Sequence, residues 1–254
     1  MASDWTTLSV DGSDMKTYVA VPDGAGPFPG VVVAQHAGAV DEFIRSVCDR
    51  LAAEGYAAAA PDMYHRQDER TFEDLVAMSR DDPERWPTMM GMAGKMQDDQ
   101  IESDVNAAID HLKGLASVGA SPIGITGFCG GGRVAYLMAA RNASLQASAV
   151  FHGGNIMVPR GDAPSAFDQT AQISCPVAGF FGWDDQNPSM DDVAKISAEM
   201  DKHDKAHEFN LYDSTGHSFL DHTSPQPYRE ASAKDAWEKL LVFFAENLKS
   251  AVAA

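Results

Sequence analysis

The chain is short of basic residues and of long apolar runs. Its 254 residues include 19 Lys and Arg against 37 Asp and Glu, which gives a formal net charge of −18. Nucleic-acid binding needs clustered Lys and Arg, so this balance argues against a nucleic-acid partner. No apolar stretch approaches the roughly 18 residues of a membrane-spanning helix, so no membrane partner is expected. The acidic residues are spread along the chain, which favours solubility and says nothing direct about chemistry.

Cysteine is also scarce. Three cysteines, an odd number, are typical of reduced thiols and not of a disulfide framework. Cys48 falls on the apolar face of a predicted helix and Cys175 precedes a predicted strand, so both are expected in the core. The first residues lack the basic and apolar regions of a secretory signal peptide. We therefore expect a cytoplasmic protein.

The length and the order of segments indicate the fold class. An apolar fraction of 44% in 254 residues supports one large domain, interpreted as residues 1–254. Short apolar runs alternate with amphipathic segments, which predicts an α/β fold with a mostly parallel central sheet and helices on both faces. A hairpin is predicted at Asp11 and Gly12. Strands are predicted at 29–34, 56–60, 122–126, 147–151, 177–181 and 208–212, and helices at 41–54, 95–115, 190–200 and 228–248.

One segment, residues 64–94, lacks a clear period and is rich in methionine. We interpret it as an irregular, lid-like segment. Such a segment can cover an apolar pocket, or it can form helices that pack against the core. The sequence leaves both possibilities open.

The most informative motif is Gly127-Phe128-Cys129-Gly130-Gly131-Gly132. An apolar run leads into it and a helix-forming run follows, which predicts a strand, a sharp turn and a helix with a thiol at the turn. This is the pattern of the nucleophile elbow of α/β-hydrolases, with cysteine in place of serine. The positive end of the helix dipole favours the thiolate form of Cys129. The alternative is a buried structural cysteine beside a glycine-rich turn.

A nucleophile of this kind needs a carboxylate, a histidine and an oxyanion hole. Asp185 follows one predicted strand and His217 follows the next, in the chain order that α/β-hydrolases use. The N–H of Gly130 is the first oxyanion donor expected. The second is Ala37, in the loop that follows the strand at 29–34. These residues make Cys129, Asp185 and His217 the predicted catalytic triad.

With these residues in place, the chain resembles the dienelactone hydrolase family over nearly its whole length. The specific block is Gly127–Gly132, joined by the Gly182–Asp185 and Gly216-His217 motifs. The resemblance implies an α/β-hydrolase fold, a Cys–His–Asp triad, and hydrolysis of lactones or esters. The family's Gly-x-x-Asp spacing selects Asp185 over the neighbouring Asp184.

The chain departs from the dienelactone-cleaving members at two positions. His36 stands where those members have a glutamate that takes part in thiol activation. Asp221 stands where they have an arginine that binds the substrate carboxylate. Arg80 and Arg85 lie near the region that supplies another family arginine. The candidate substrate pocket therefore comprises His36, Arg80, Arg85, Trp183 and Asp221.

Other functions were weighed against this one. His203 and His207 have a metal-like spacing but straddle a predicted helix end, and no further ligand completes a zinc pattern, so no metal is expected. No Lys-Ser or Lys-Thr follows the glycines, which argues against a nucleotide loop. No cofactor is expected, and the expected assembly is a monomer or homodimer. A non-catalytic small-molecule binder, or a thiol sensor that uses Cys129, is the remaining alternative.

Overall fold

The computed structural model describes residues 1–67 and 71–249 of the chain. The chain divides into two compact units, one from Met1 to Ala120 and one that starts at Ser121. This division does not test the single domain predicted over residues 1–254, which stays a prediction. Within the described residues, no helix combines the length and the apolar character needed to cross a membrane.

The described part of the first unit contains four strands and four helices. In chain order they are β1 (Ala2–Val10), β2 (Ser13–Val21), β3 (Gly30–Ala34), α1 (Glu42–Ala53), β4 (Ala57–Pro61), α2 (Phe72–Ala77), α3 (Arg85–Lys95) and α4 (Asp98–Gly114). The strands lie in the order β1-β2-β4-β3, with β3 parallel to β4 and the other two pairings antiparallel. The predicted hairpin is confirmed, since Asp11 and Gly12 adopt the positive φ angles that its two-residue turn requires, 50° and 80°.

The segment 64–94 is more regular than its sequence suggested, because it contains α2 and α3. Residues 68–70 of this prediction lie outside the described residues. Thr71 begins α2 with a capping box, in which its side chain and that of Asp74 each accept from the other's backbone N–H. Phe72 and Met92 are buried, whereas Trp86 is 66% exposed. The two helices therefore bury part of their apolar surface, and a lid function stays a prediction.

The described part of the second unit alternates strands and helices as predicted. Its elements are β5 (Ile123–Phe128), α5 (Gly130–Arg141), β6 (Leu145–Phe151), β7 (Val177–Gly182), α6 (Met190–Lys202), β8 (His207–Tyr212) and α7 (Glu230–Phe244), with a 3-10 helix at Phe167–Gln172 and a π-helix at Ala245–Lys249. The strands lie in the order β5-β6-β7-β8 and every pairing is parallel. The prediction of an α/β fold with mostly parallel strands is confirmed.

Parallel pairing determines where the functional loops of the second unit emerge. The carboxyl ends of parallel strands lie at one edge of a sheet, which is where α/β proteins place their sites. The residues that follow β5, β6, β7 and β8 are therefore brought to the same edge. Strands β5 and β7 are buried along their whole length, so the loops at this edge follow strands that are packed in the core.

Candidate active site

Cys129 occupies the turn between β5 and α5, as the sequence predicted. Its backbone has φ 56° and ψ −119°, a conformation that costs a residue with a Cβ about 1–3 kcal/mol. The Cys129 N–H is shared between the Phe151 carbonyl oxygen at 3.1 Å and Nδ1 of His152 at 3.0 Å. The Cys129 carbonyl accepts from the Gly132 N–H at 2.9 Å. These bonds hold the strained turn, which leaves the thiol partly exposed.

The glycines that follow Cys129 allow a close approach of backbones. A Cβ on Gly132 would lie 2.7 Å from both the Gly153 Cα and the Phe151 carbonyl oxygen. No side chain fits in that space without moving α5 away from the end of β6. The glycine-rich sequence is therefore a requirement of the elbow geometry.

Asp185 lies in the loop that follows β7 and is 4% exposed. Its Oδ2 atom lies 2.8 Å from Nδ1 of His217, and its Oδ1 atom accepts from the Asn187 N–H at 2.9 Å. The neighbouring Asp184 is exposed, and its N–H donates to the Thr215 carbonyl oxygen at 2.9 Å. Of the two carboxylates, the one that the sequence selected is the one that contacts the histidine.

The acid loop and the histidine loop are in direct contact at Gly182. A Cβ on this glycine would collide with the Thr215 carbonyl oxygen and would lie 2.9 Å from the Gly216 carbonyl oxygen. Thr215 itself is anchored, because its hydroxyl lies 3.0 Å from the Ser232 hydroxyl of α7. The absence of a side chain at Gly182 therefore brings His217 within reach of Asp185.

His217 follows β8, and its side chain is 32% exposed. Burial by itself disfavours the imidazolium, but hydrogen bonds to Asp185 and to Cys129, together with the charges of both groups, raise the pKa of His217 to about 10. Nδ1 is occupied by Asp185, so Nε2 is the nitrogen available to the thiol. The three side chains form one hydrogen-bonded series, Cys129 to His217 to Asp185, that can hold a proton on the imidazole beside the sulfur.

The two oxyanion donors that the sequence predicts lie in separate units. Gly130 is the first residue of α5, and the first N–H groups of a helix have no partner within the helix. In the first unit, the Ala37 carbonyl oxygen accepts from the Tyr64 hydroxyl at 3.1 Å, and the Ala39 N–H donates to the His36 carbonyl oxygen at 3.0 Å. These bonds fix the loop that follows β3. A shared oxyanion role for Gly130 and Ala37 stays a prediction.

His36, which stands in place of the family glutamate, contacts a carboxylate inside the first unit. Its Nε2 atom lies 3.0 Å from Oδ1 of Asp41, the residue that caps α1 by accepting from the Ile44 N–H. Burial alone would raise the pKa of Asp41, but His36, the Ile44 N–H and the charge of Arg80 together outweigh it and lower that pKa. A buried carboxylate is therefore present in this loop, paired with the histidine. Substrate contact by His36 and the exposed Arg80 stays a prediction.

Two further predicted pocket residues, Arg85 and Trp183, differ in whether their side chains already bind other parts of the protein. The Arg85 guanidinium donates to the carbonyl oxygens of Leu75 at 2.8 Å and Met78 at 2.9 Å, so it closes the end of α2. Trp183 is 54% exposed beside the acid loop. Substrate contact by Arg85 and Trp183 stays a prediction.

Asp221 is buried in its own loop and does not present an open carboxylate. It is 6% exposed, its Oδ1 accepts from the Thr223 N–H at 2.9 Å, and its Oδ2 accepts from the Ser224 hydroxyl at 2.7 Å. This is the pattern of an aspartate that shapes a turn. A place for Asp221 in the substrate pocket stays a prediction.

Two neighbours of the predicted triad were missed from the sequence. His152 follows β6, is 2% exposed, and its ring centroid lies 4.6 Å from that of His217. Asn187 links the acid loop to the loop after β6, since its Oδ1 atom accepts from the Asn155 N–H at 2.9 Å. The sequence signal that could have indicated His152 was its place directly after β6, the strand that pairs with β5.

A second hydrogen-bonded series, of the type Ser–His–Asp, occurs in the first unit. Ser13 Oγ lies 3.1 Å from Nδ1 of His65, and Nε2 of that histidine lies 3.0 Å from Oδ1 of Asp104. Asp104 also accepts from the Arg66 guanidinium at 2.7 Å. Ser13 begins β2 beside a hairpin turn, so no helix N-terminus follows it to stabilise an oxyanion. We interpret this series as a structural link between the hairpin, the loop after β4, and α4.

The other two thiols have surroundings that suppress reactivity. Cys48 and Cys175 are buried, as predicted. Burial, with the charge of Asp49 nearby, strongly raises the pKa of Cys48, and burial raises the pKa of Cys175 to about 12. Across residues 1–67 and 71–249, no three side chains of His, Cys, Asp or Glu are grouped to hold a metal ion. Of the three cysteines, Cys129 is the one whose side chain is partly exposed.

The chain was compared with known proteins. The model of the Dienelactone hydrolase family matches residues 15–248. A Salmonella typhimurium protein, provisionally named a carboxymethylenebutenolidase, is 34% identical over 248 residues, which cover 95% of this chain and 86% of that protein. A Bradyrhizobium protein, provisionally named a 2-oxo-3-(5-oxofuran-2-ylidene)propanoate lactonase, is 29% identical over 253 residues, which cover 98% and 96%. The crystal structure of a provisionally named dienelactone hydrolase from Klebsiella pneumoniae is 31% identical, with a TM-score of 0.81 over 96% of this chain and 98% of that one.

The strand-turn-helix elbow and the largely parallel strands define an α/β-hydrolase, and the similarity to the Klebsiella structure confirms that fold. The family model and the relatives cover nearly the whole length of the chain. The chain belongs to the dienelactone hydrolase family. It is a hydrolase of the carboxylic-ester type, which confirms the enzyme class that the sequence indicated.

Proposed function

We propose that this chain hydrolyses a lactone or ester bond through a thioester formed on Cys129. The observation that carries the proposal is the hydrogen-bonded series from Cys129 through His217 to the buried Asp185. The raised pKa of His217 favours an imidazolium beside a thiolate, which is the reactive form of cysteine. The family and the lactonase name of one relative support an ester or lactone carbonyl as the target.

The first half of the reaction transfers the acyl group to sulfur. The Cys129 thiolate attacks the carbonyl carbon, a C–S bond forms, and the carbonyl electrons move to the oxygen. The Gly130 N–H, at the start of α5, is placed to donate to that oxyanion. When the intermediate collapses, the C–O bond breaks and Nε2 of His217 gives its proton to the leaving oxygen. In a lactone, the leaving oxygen stays attached to the acyl chain.

The second half releases the acid. Neutral His217 takes a proton from water as the water oxygen attacks the thioester carbon. The C–S bond breaks, the thiolate of Cys129 is restored, and the histidine is again protonated. Asp185 keeps Nδ1 of His217 hydrogen-bonded throughout, which fixes the ring and leaves Nε2 for both proton transfers. We also propose the N–H of Ala37, which the sequence predicts, as the second oxyanion donor.

The substrate class follows from the nucleophile. A thiolate is a better leaving group than an alkoxide, so the tetrahedral intermediate returns to substrate unless the leaving oxygen is also stabilised. Enol lactones and aryl esters release stabilised oxyanions, whereas simple alkyl esters do not. We propose enol lactones and activated esters as substrates.

Replacement of Cys129 tests the proposal. A panel of enol lactones, aryl esters and thioesters is assayed with the wild type and with Cys129→Ala. Turnover of at least one class that falls below about 1% in the variant supports the proposal, since loss of a triad nucleophile costs orders of magnitude. Cys175→Ala is the matched control and should keep its activity. Turnover that survives Cys129→Ala would contradict the proposal.

The alternative is a thiol sensor or a non-catalytic binder that uses the same residue. The partly exposed Cys129 beside an imidazolium is the observation that favours it. Mild peroxide followed by mass spectrometry distinguishes the two functions. Rapid oxidation of Cys129 without turnover of any carbonyl substrate would favour the sensor.

A further inference from the structure

His152 is a buried titratable residue that the mechanism above does not use. Its side chain lies against the nucleophile and the triad histidine at once. Nδ1 of His152 lies 3.0 Å from the Cys129 backbone nitrogen, and its ring centroid lies 4.6 Å from that of His217. Phe128 and Phe219 enclose the ring, with centroids 6.2 Å and 5.9 Å away. The residue is 2% exposed.

The backbone of His152 is itself held in an uncommon conformation. Its φ is 37°, a left-handed value that side chains with a Cβ rarely adopt. The His152 N–H continues the β6–β7 pairing by donating to the Phe180 carbonyl oxygen at 2.9 Å. This bond, followed at once by Gly153, turns the chain so that the imidazole points back at the elbow. Left-handed residues of this kind gather at functional sites, where the surrounding structure enforces them.

The hydrogen bond from the Cys129 N–H to Nδ1 defines which nitrogen of the His152 ring carries the proton. A backbone N–H can only donate, so Nδ1 of His152 accepts and carries no proton there. The ring proton is thereby assigned to Nε2. In this state the ring is neutral and places no second positive charge beside the imidazolium of His217.

We propose that His152 is a positioning residue of the active site. As a neutral acceptor it holds the Cys129 N–H, and with it the strained backbone of the nucleophile, while its ring supports one side of His217. The inference rests on the proposed function of Cys129. It adds a distinct requirement, namely a hydrogen-bond acceptor at residue 152.

Three substitutions separate the effect of the hydrogen-bond acceptor from the effects of side-chain size and of backbone preference. His152→Asn retains an acceptor near the place of Nδ1 and tolerates a left-handed backbone. His152→Leu has the branched shape and the number of side-chain heavy atoms of asparagine, without an acceptor. His152→Gly tolerates the backbone conformation, again without an acceptor. kcat and KM for an activated ester are measured for each variant together with thermal unfolding.

The expected pattern is specific. His152→Asn should keep kcat within about threefold of the wild type. His152→Leu and His152→Gly should each lose about 10- to 100-fold in kcat with little change in KM, because small displacements of a nucleophile carry penalties of that order. Any other pattern, such as equal losses in all three variants or no loss in the leucine and glycine variants, would overturn the inference.

A direct measurement does not depend on how the variants fold. In protein labelled with ¹⁵N at cysteine and histidine, an N–H to Nδ1 hydrogen bond gives a scalar coupling between the Cys129 and His152 nitrogens. We expect that coupling in the wild type, and its absence would overturn the inference. If the wild type neither turns over esters nor has a reactive Cys129, the proposed function fails, whatever the coupling shows.

Discussion

Nδ1 of His217 lies 2.8 Å from Oδ2 of Asp185, and this contact determines which ring nitrogen is left for the thiol. The other oxygen of Asp185 accepts from the Asn187 N–H, so both carboxylate oxygens are engaged. A carboxylate held in this way orients the imidazole and stabilises its charge, while the thiol side of the ring stays open. The proposed chemistry follows from this fixed orientation.

The adjacent aspartates provide an internal test of that orientation. Asp185→Asn should lower kcat by orders of magnitude, because the amide leaves His217 without its carboxylate partner. Asp184→Asn is the matched control and should stay within about threefold, since Asp184 is exposed and uses its backbone for contacts. Steady-state rates on one activated ester measure both variants. Reversed effects would mean that the acid is misassigned by one residue.

The raised pKa of His217 predicts how Cys129 reacts with pH. Because the folded-state pKa is about 10, the imidazolium that stabilises the thiolate is present from neutral pH down through the ordinary histidine pKa of about 6.5, and is lost only as pH rises through 10. Alkylation of Cys129 by iodoacetamide should therefore remain fast down to about pH 6, below the unperturbed thiol pKa of about 8.5. The rate is measured from pH 5 to 10 by mass spectrometry of the Cys129 peptide. In His217→Gln, the pH at which the alkylation rate rises should move towards 8.5. A wild type that is alkylated only above pH 8 would contradict a thiolate of Cys129 paired with the imidazolium of His217.

Two glycines in the contacting loops test the packing argument. Gly182→Ala should lower kcat and the melting temperature together, because its new Cβ collides with the Thr215 carbonyl oxygen and displaces the histidine loop. Overpacking of this kind costs about 1–3 kcal/mol. Gly216→Ala is the control, since a Cβ there meets nothing within 4 Å although it adjoins the triad histidine. Equal tolerance of both substitutions would show that the close approach at Gly182 does not position His217.

The elements were predictable from the sequence because their signals are local. The apolar run before Cys129, the glycines after it, and the order of Asp185 and His217 each identify a strand end. His152 escaped prediction because its role depends on parallel pairing between β5 and β6, which brings residues 23 positions apart into hydrogen-bond distance. A histidine at a strand end has no pattern of its own.

The same reasoning explains why the pocket residues were harder to predict. Arg85 and Asp221 were predicted as pocket residues because their charge is visible in the sequence. Their hydrogen bonds to local backbone groups are visible only in the structure. His36 was recognised as a departure from the family glutamate, but its buried partner Asp41 was not.

The charge of the chain predicts a preference among substrates. With a formal net charge of −18, anionic substrates should be repelled, so a neutral enol lactone should have a higher kcat/KM than a dienelactone that carries a carboxylate. Added salt should reduce the difference in kcat/KM between the two substrates, because it screens the repulsion. The two specificity constants are measured at low and high ionic strength, with the neutral substrate as the control. A clear preference for the dienelactone would show that a local cation outweighs the net charge.

Trapping the acyl-enzyme tests the central claim most directly. The enzyme is mixed with an aryl ester in excess, quenched in acid within milliseconds to seconds, and analysed by peptide mass spectrometry. The account predicts an acyl adduct on Cys129 that appears before steady state, is removed by neutral hydroxylamine, and is absent from Cys129→Ala. An adduct on another residue, or ester turnover without any adduct on Cys129 under conditions where deacylation is slowed, would contradict it.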